Sequence, residues 1–487
     1  MGYGGINMIP NEIISSGTLN TLLFYFIVMG ALLTLGVFVR IKFKLFKKYF
    51  IPASLIAGFI GLAIGPYGAK LLSEEMVGTW GGIAGILITI VFAPMLIGMK
   101  NEKEKGTSKL VARHLVYSYT GSLLQLSVPL IVAALILIPF FDLNEMFASI
   151  IEVGWAGGHG TAAGMVEVYT DLGWEAGASL GVTSATIGIV IGIISGIIMI
   201  NHGVRKGYTS VIANPDELAS NNEHDVIPLD KRKVSSVNTL NPDLVEGFAF
   251  HMGLIAIATI IGWFMQKFIT VYVPGIPLFP LAMIGGLLVN MVISRTKYID
   301  MIDMETFKRI QGFALDFLII GAVASIKIPI VIEYAMPLLI LSVVTMAMMI
   351  WYFYYLGRRF FPEQWFENAI VHYGSYTGVA AVGLLLLRTV DPEMKTDSGK
   401  AYALRAPLYS PFLGGGLITS IIPVLMLQSS SLIVGLVCLG ILALLLIVAK
   451  VTGLLTVPVK NASVTVKHTT NESISMDNTT IQNPDNG

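Results

Sequence analysis

Eleven long apolar runs fix what this chain can fold into. They lie near residues 19–39, 51–70, 82–99, 115–138, 178–200, 246–267, 278–294, 311–327, 335–356, 406–427 and 431–449. Each has 17–24 residues, and about 20 apolar residues in a helix suffice to cross the hydrocarbon layer of a bilayer. Charged residues make up 13% of the chain, roughly half the ~25% of a soluble domain. The expected fold class is an all-α polytopic membrane protein. Its one cysteine, Cys438, sits inside an apolar run and reads as a small buried hydrophobe with no internal disulfide partner. The first run is followed by Arg40, Lys42, Lys44, Lys47 and Lys48, which fits a first spanning helix better than a cleaved signal. No strongly basic surface for nucleic acid is present.

Two further apolar segments, 147–168 and 367–388, are interrupted by Gly and polar residues. The densest interruption is Gly154-Trp155-Ala156-Gly157-Gly158-His159-Gly160-Thr161. Each Gly costs a helix about 1 kcal/mol relative to Ala. Backbone that leaves the helix at membrane depth is tolerated only where it is buried in protein or lines a wet cavity. Lys and Arg in short loops set orientation. Residues 40–48 and the loop from Lys100 to Arg113 are basic, whereas 1–18, 140–145 and Asp171–Glu175 hold no Lys or Arg. The N-terminus is therefore expected outside, and segment 147–168 is expected to enter and leave on the outer face as a re-entrant hairpin. Segment 367–388 is flanked by Arg358 and Arg359 and then by Arg388, Lys395, Lys400 and Arg405, so it re-enters from the inside. Residues 201–245 read as a cytoplasmic linker. The stretch 451–487, rich in Asn, Thr and Ser, reads as a disordered cytoplasmic tail.

The two halves resemble each other. Ile51–Gly58 aligns with Phe279–Gly286 around a shared Pro, and Gly158-His159-Gly160-Thr161 aligns with Gly374-Ser375-Tyr376-Thr377 as a shared G-x-x-T. Each half, 1–200 and 246–427, has five spans with the hairpin before the fifth. An odd number of spans inverts the second half across the membrane, and inverted repeats with broken segments mark secondary transporters. The run within 428–450 has no partner and is an extra C-terminal helix.

Three motifs resemble the bacterial glutamate:sodium symporter family. They are Gly157-Gly158-His159-Gly160-Thr161, Lys47-Lys48-Tyr49-Phe50-Ile51-Pro52, and Ala185-Thr186-Ile187-Gly188-Ile189-Val190-Ile191-Gly192 in the fifth span. Together they cover roughly residues 19–427. The resemblance implies a homodimer in a bacterial inner membrane, with a scaffold part and a moving part that carries both hairpins past it. It also implies Na⁺ as the coupling ion and a small acidic substrate, with no other cofactor.

Na⁺ needs several oxygen ligands, and a carboxylate substrate needs donors; broken helices offer both. The expected substrate contacts are Gly157, Gly158, His159, Gly160, Thr161, Gly374, Ser375, Tyr376, Thr377 and Gly378, and the expected Na⁺ ligands are Thr161, Thr377 and Asp316. Glycines also serve simply to let membrane helices pack closely. His159 is either a ligand or a structural imidazole, and the same choice holds for His372. Asp316 either helps bind Na⁺ or meets water or Lys308 and Arg309 near the interface. Glu152 and Glu367 precede the hairpins, where gating, capping and binding are equally open. Arg388 and Arg405 could meet a substrate carboxylate, but an orientation-setting, snorkelling arginine is the more common case.

No P-loop, zinc spacing or H-E-x-x-H motif stands in a context that would make this an enzyme. The expected function is Na⁺-coupled symport of glutamate or a related small carboxylate. A tenfold Na⁺ gradient supplies about 1.4 kcal/mol per ion, and one charge crossing about 100 mV supplies about 2.3 kcal/mol. A cation/proton antiporter, with Asp316 and His159 titrating, is the nearest rival. A channel-like pore is the rival from another class.

Overall fold

The computed structural model describes residues 13–48, 51–98, 108–212, 234, 236–271, 276–392 and 394–456. The centre of the expected linker, 213–233, and the tail from 457 onward lie outside the described residues. Among the described residues the chain is entirely helical, with no strand. Among these residues eight helices are long and apolar enough to cross a membrane: Ser16–Lys42, Glu74–Leu96, Ser108–Phe141, Ala176–Arg205, Gly247–Ile269, Ala335–Phe360, Trp365–Val390 and Ser431–Val451. Ala53–Ile64, Leu278–Ile293 and Leu417–Gln428 are apolar but shorter.

The order of elements in the first half recurs in the second. A long helix leads to a short one opened by proline: Pro52 caps Ala53–Ile64, and Pro277 caps Leu278–Ile293. Gly36 of the first long helix lies against Ala57 of the short one, and Gly262 lies against Ala282 in the same way. Small residues let such helix pairs approach closely. The caps and the alanines share one offset, since 277 − 52 and 282 − 57 both equal 225, and the glycines differ by one more, since 262 − 36 equals 226. Ile51-Pro52 therefore corresponds to Ile276-Pro277, and the sequence alignment to Phe279-Pro280 was three residues out. The long helices Ser108–Phe141 and Ala335–Phe360 also end in the same irregular way. A π-helical turn, Ala133–Leu137 or Tyr352–Leu356, precedes a last α-turn.

Next in each half comes a segment that doubles back. The first consists of Ser149–Ile151, a π-helical turn Glu152–Ala156, then Gly158–Gly164 and Val166–Asp171. Its two ends meet, because Ser149 Oγ and Tyr169 OH are 2.8 Å apart. The second, Trp365–Val390, is hydrogen-bonded as one helix but leaves helical geometry at Gly378 and Val379. Beyond that point it returns along itself, and Gly374 lies against Gly383 with no room for a side chain between them.

One expectation fails in the second half. The run 406–427 is not one helix. It splits into Ser398–Tyr409 and Leu417–Gln428, joined by a turn in which Gly414 and Gly415 have φ of +68° and +101°. Only glycine enters that region without steric cost. The apolar composition carried straight through the turn and hid it.

Two cores hold the helices. The larger runs through both doubled-back segments and the helices around them, with Trp80, Tyr117, Trp155, Tyr352, Phe366 and Tyr376 fully buried. The smaller lies where Gly247–Ile269 and Leu278–Ile293 meet Ala93, Ile97, Phe307 and Ile310.

Candidate functional site

The two backbone breaks touch. Gly158 has φ +72°, and Val379 has φ +65°. The Val379 side chain occupies the space that a Cβ on Gly158 would need. A β-branched residue at positive φ is a genuine backbone outlier, and such strain collects at functional sites. The G-x-x-T pairing does not match these breaks. One break falls at the start of Gly158–Thr161, and the other falls just after Gly374–Thr377.

Beside the breaks opens a cavity of about 590 Å³. Of the expected contacts, Gly157, His159, Gly160, Ser375, Tyr376 and Gly378 line it, and so does Asp316. Gly158, Thr161, Gly374 and Thr377 are not among its lining residues. Their packing gives the reason. Gly158 and Gly374 are covered by Val379 and Gly383, Thr161 by Gly415, and Thr377 by Gly192. The three expected Na⁺ ligands are therefore not drawn together: Thr161 turns to the turn at Gly415, Thr377 to the helix Ala176–Arg205, and Asp316 to the cavity beside Ser54. Among the described residues no group of three His, Cys, Asp or Glu could hold a metal ion.

His159 meets the cavity and a neighbouring helix at once. It lines the cavity, and its Nε2 lies 2.9 Å from Thr186 Oγ1. Thr186 already donates to the Val182 carbonyl, so the Nε2–H donates and Nδ1 is left as an acceptor. His372 is structural. It is fully buried, its Nε2 is 2.8 Å from His114 Nδ1, and His114 Nε2 is 2.8 Å from Asn368 Oδ1. The amide of Asn368 donates to the Glu363 and Gln364 carbonyls, which fixes Oδ1 as the acceptor.

The sequence missed the most polar wall of the cavity. Tyr402, Arg405 and Tyr409 stand at i, i+3 and i+7 on Ser398–Tyr409, one helical face. The Arg405 guanidinium lies 4.2 Å from the Tyr402 ring centroid and 4.4 Å from that of Tyr409. Both rings are pinned: Tyr402 OH is 2.7 Å from Ser375 Oγ, and Tyr409 OH is 2.5 Å from Ser122 Oγ. Ser375 already donates to the Val371 carbonyl, so Tyr402 is the donor there. Arg405 is only 4% exposed, its Nε has no hydrogen-bond partner, and no carboxylate of the described residues lies within ion-pair distance. It does not snorkel; it is held between two tyrosines and faces the cavity. The i, i+3, i+7 spacing of Tyr, Arg and Tyr was the available signal. Read alone, Arg405 is open both to snorkelling and to meeting a substrate carboxylate; the two tyrosines beside it decide between them.

Tyr376 ties this wall to the rest of the site. Its carbonyl accepts from Gln125 Nε2 at 2.6 Å, and its hydroxyl donates to the Ser118 carbonyl at 2.5 Å.

A profile of the sodium/glutamate symporter family matches residues 17–381, well over half of the chain, and spans both breaks. No curated protein matches the chain. The match, the helices long enough to cross a bilayer and the doubled-back segments agree: the chain belongs to the sodium/glutamate symporter family and is a multi-pass membrane transporter.

Proposed function

We propose that the protein couples Na⁺ entry to uptake of glutamate or a closely related small acidic amino acid, by alternating access. Family membership supports the coupling ion and the substrate class. The observation that carries the substrate reading is Arg405. A buried guanidinium with no carboxylate partner is costly, and a substrate carboxylate supplies the missing charge in bidentate geometry. Asp316 stands in the same cavity and offers an acceptor to the substrate ammonium. Arg40 lines the cavity as well, so two cations and one anion face it, which matches the two carboxylates and one ammonium of glutamate.

The two segments that double back act in this reading as re-entrant hairpins from opposite faces. The recurring order of elements, with an odd number of spans per half, supports their inverted arrangement. The hairpins and the cavity between them then move together past the unit built on Gly247–Ile269 and Leu278–Ile293, in an elevator-like step within a homodimer.

The test is uptake of labelled L-glutamate into proteoliposomes under an inward Na⁺ or an inward K⁺ gradient. Uptake is expected with Na⁺ only, and equal uptake in both overturns Na⁺ coupling. Truncating one partner of a buried charge pair costs about 2–5 kcal/mol, so Arg405→Gln should lower kcat/KM by roughly 30-fold or more. An unchanged KM for L-glutamate in Arg405→Gln would remove Arg405 from the substrate site.

A further inference from the structure

Glu152 opens the π-helical turn Glu152–Ala156 and is 1% exposed. Its Oε1 is fully used, accepting from the Gly414 N–H at 2.9 Å and from Thr419 Oγ1 at 3.0 Å. Its Oε2 is buried and has no hydrogen-bond partner. No Lys or Arg of the described residues pairs with it. A protonated Oε2 would need an acceptor, an ionised Oε2 would need a donor or a cation, and neither is provided.

The surroundings are rich in oxygen. Thr161 Oγ1 donates to the Gly157 carbonyl and keeps its lone pairs. Gly415 lies directly on that hydroxyl, in the space a side chain would fill. Thr419 is the neighbour on the other side, accepting from the Gly415 N–H at 3.1 Å. One carboxylate and two hydroxyls match a hard monovalent cation. A divalent ion of the calcium type takes more carboxylate charge than one Glu supplies.

We propose that Glu152, Thr161 and Thr419 hold the coupling Na⁺, between the first doubled-back segment and the glycine turn of the split helix. This places the ion away from Thr377 and Asp316. The site lies behind the substrate cavity and shares a wall with it: Gly157 and Gly414 line the cavity, whereas the three side chains face the ion. Na⁺ then fixes the glycine turn against Gly157 and completes the cavity before substrate arrives. The proposal rests on the Na⁺-symport reading.

The experiment is equilibrium binding of radiolabelled Na⁺ to the purified full-length protein without substrate, alongside Na⁺-driven uptake in proteoliposomes. Saturable binding is expected for the wild type. Loss of even an outer-shell partner weakens a metal site by about 10- to 100-fold; Glu152→Gln, which removes a direct ligand, should weaken Na⁺ binding at least that much. Thr419→Val should weaken it too and Thr419→Ser should not, which keeps the test open if Glu152→Gln folds poorly. Na⁺ affinity unchanged in Glu152→Gln overturns the site. So does a Glu152→Gln protein that keeps its Na⁺ dependence and loses only a pH dependence of uptake, because Glu152 would then be a proton site. The two readings fail separately. Na⁺-driven uptake with normal Na⁺ affinity in Glu152→Gln keeps the symport and sinks the site. Glu152-dependent Na⁺ binding with no carboxylate uptake keeps the site and sinks the symport.

Discussion

The two doubled-back segments occupy the same place in their halves, yet their polar groups are treated in opposite ways. In Trp365–Val390 every buried polar side chain has a partner. Glu367 accepts from both the N–H and the hydroxyl of Ser210. His372 is joined to His114, and Tyr376 is bonded at both its carbonyl and its hydroxyl. In the first segment His159 makes one bond, to Thr186, and Glu152 keeps one oxygen unpartnered. Repeated topology thus does not imply repeated chemistry. One segment is bolted to the helix Ser108–Phe141, and the other is left with open valence beside the glycine turn.

The largest test of that contrast is a pair of alanine substitutions. His372→Ala removes a buried ring and strands His114, which should cost about 3–5 kcal/mol. His159→Ala loses one hydrogen bond and should cost about 1–2 kcal/mol. Thermal unfolding in detergent reads both, and equal drops in Tm would erase the difference between the segments. Next in size is Gly158→Ala. It forces a Cβ into Val379 at positive φ and should cost about 2–3 kcal/mol. Val379→Gly in the same chain should recover much of the loss, since it removes the clashing side chain. Additive losses in the double variant would mean that the two breaks do not bear on each other. The smallest effect separates the two glutamates. Glu367→Gln should destabilise by about 1–2 kcal/mol, because an amide replaces one of two satisfied acceptors. Glu152→Gln should be neutral or stabilising in Na⁺-free buffer, because it removes an uncompensated buried charge. A Tm that falls equally in both variants would break the comparison.

Much of the fold was legible in hydropathy. Ten of the eleven apolar runs each fall on a helix, with ends displaced by up to eight residues, and the Gly-rich run at 154–161 does mark a backbone break. What composition could not carry was the end of a helix inside an apolar run. The turn at Gly414–Gly415 reads as ordinary small-residue packing until its φ values are seen, and so the split of 406–427 was missed. The register of the repeat was blurred for a related reason. Ile51-Pro52 has two nearby matches, Ile276-Pro277 and Phe279-Pro280, and only the cap geometry and the Gly36–Ala57 and Gly262–Ala282 contacts choose between them. Half of the candidate site was visible as glycines, Ser375 and Tyr376. Arg405 stays open between a substrate contact and a snorkelling charge, because the two look alike in one dimension. Glu152 was noticed, but its missing partner is a property of packing and leaves no trace in sequence.

The split helix also bears on how the protein is built in the cell. Ser398–Tyr409 carries both Lys400 and Arg405 within its 12 residues, and a central charge costs a nascent helix about 2.5–3.5 kcal/mol on insertion scales. Such a segment is a poor substrate for the insertion machinery when it emerges alone. Ser431–Val451 follows with a mean hydropathy of 3.2, the highest of the eight long helices. It packs on Ser108–Phe141, and its first residue, Ser431, is held by Glu145. The most apolar of the long helices thus braces Ser108–Phe141, the helix whose Ser122 holds Tyr409 beside Arg405.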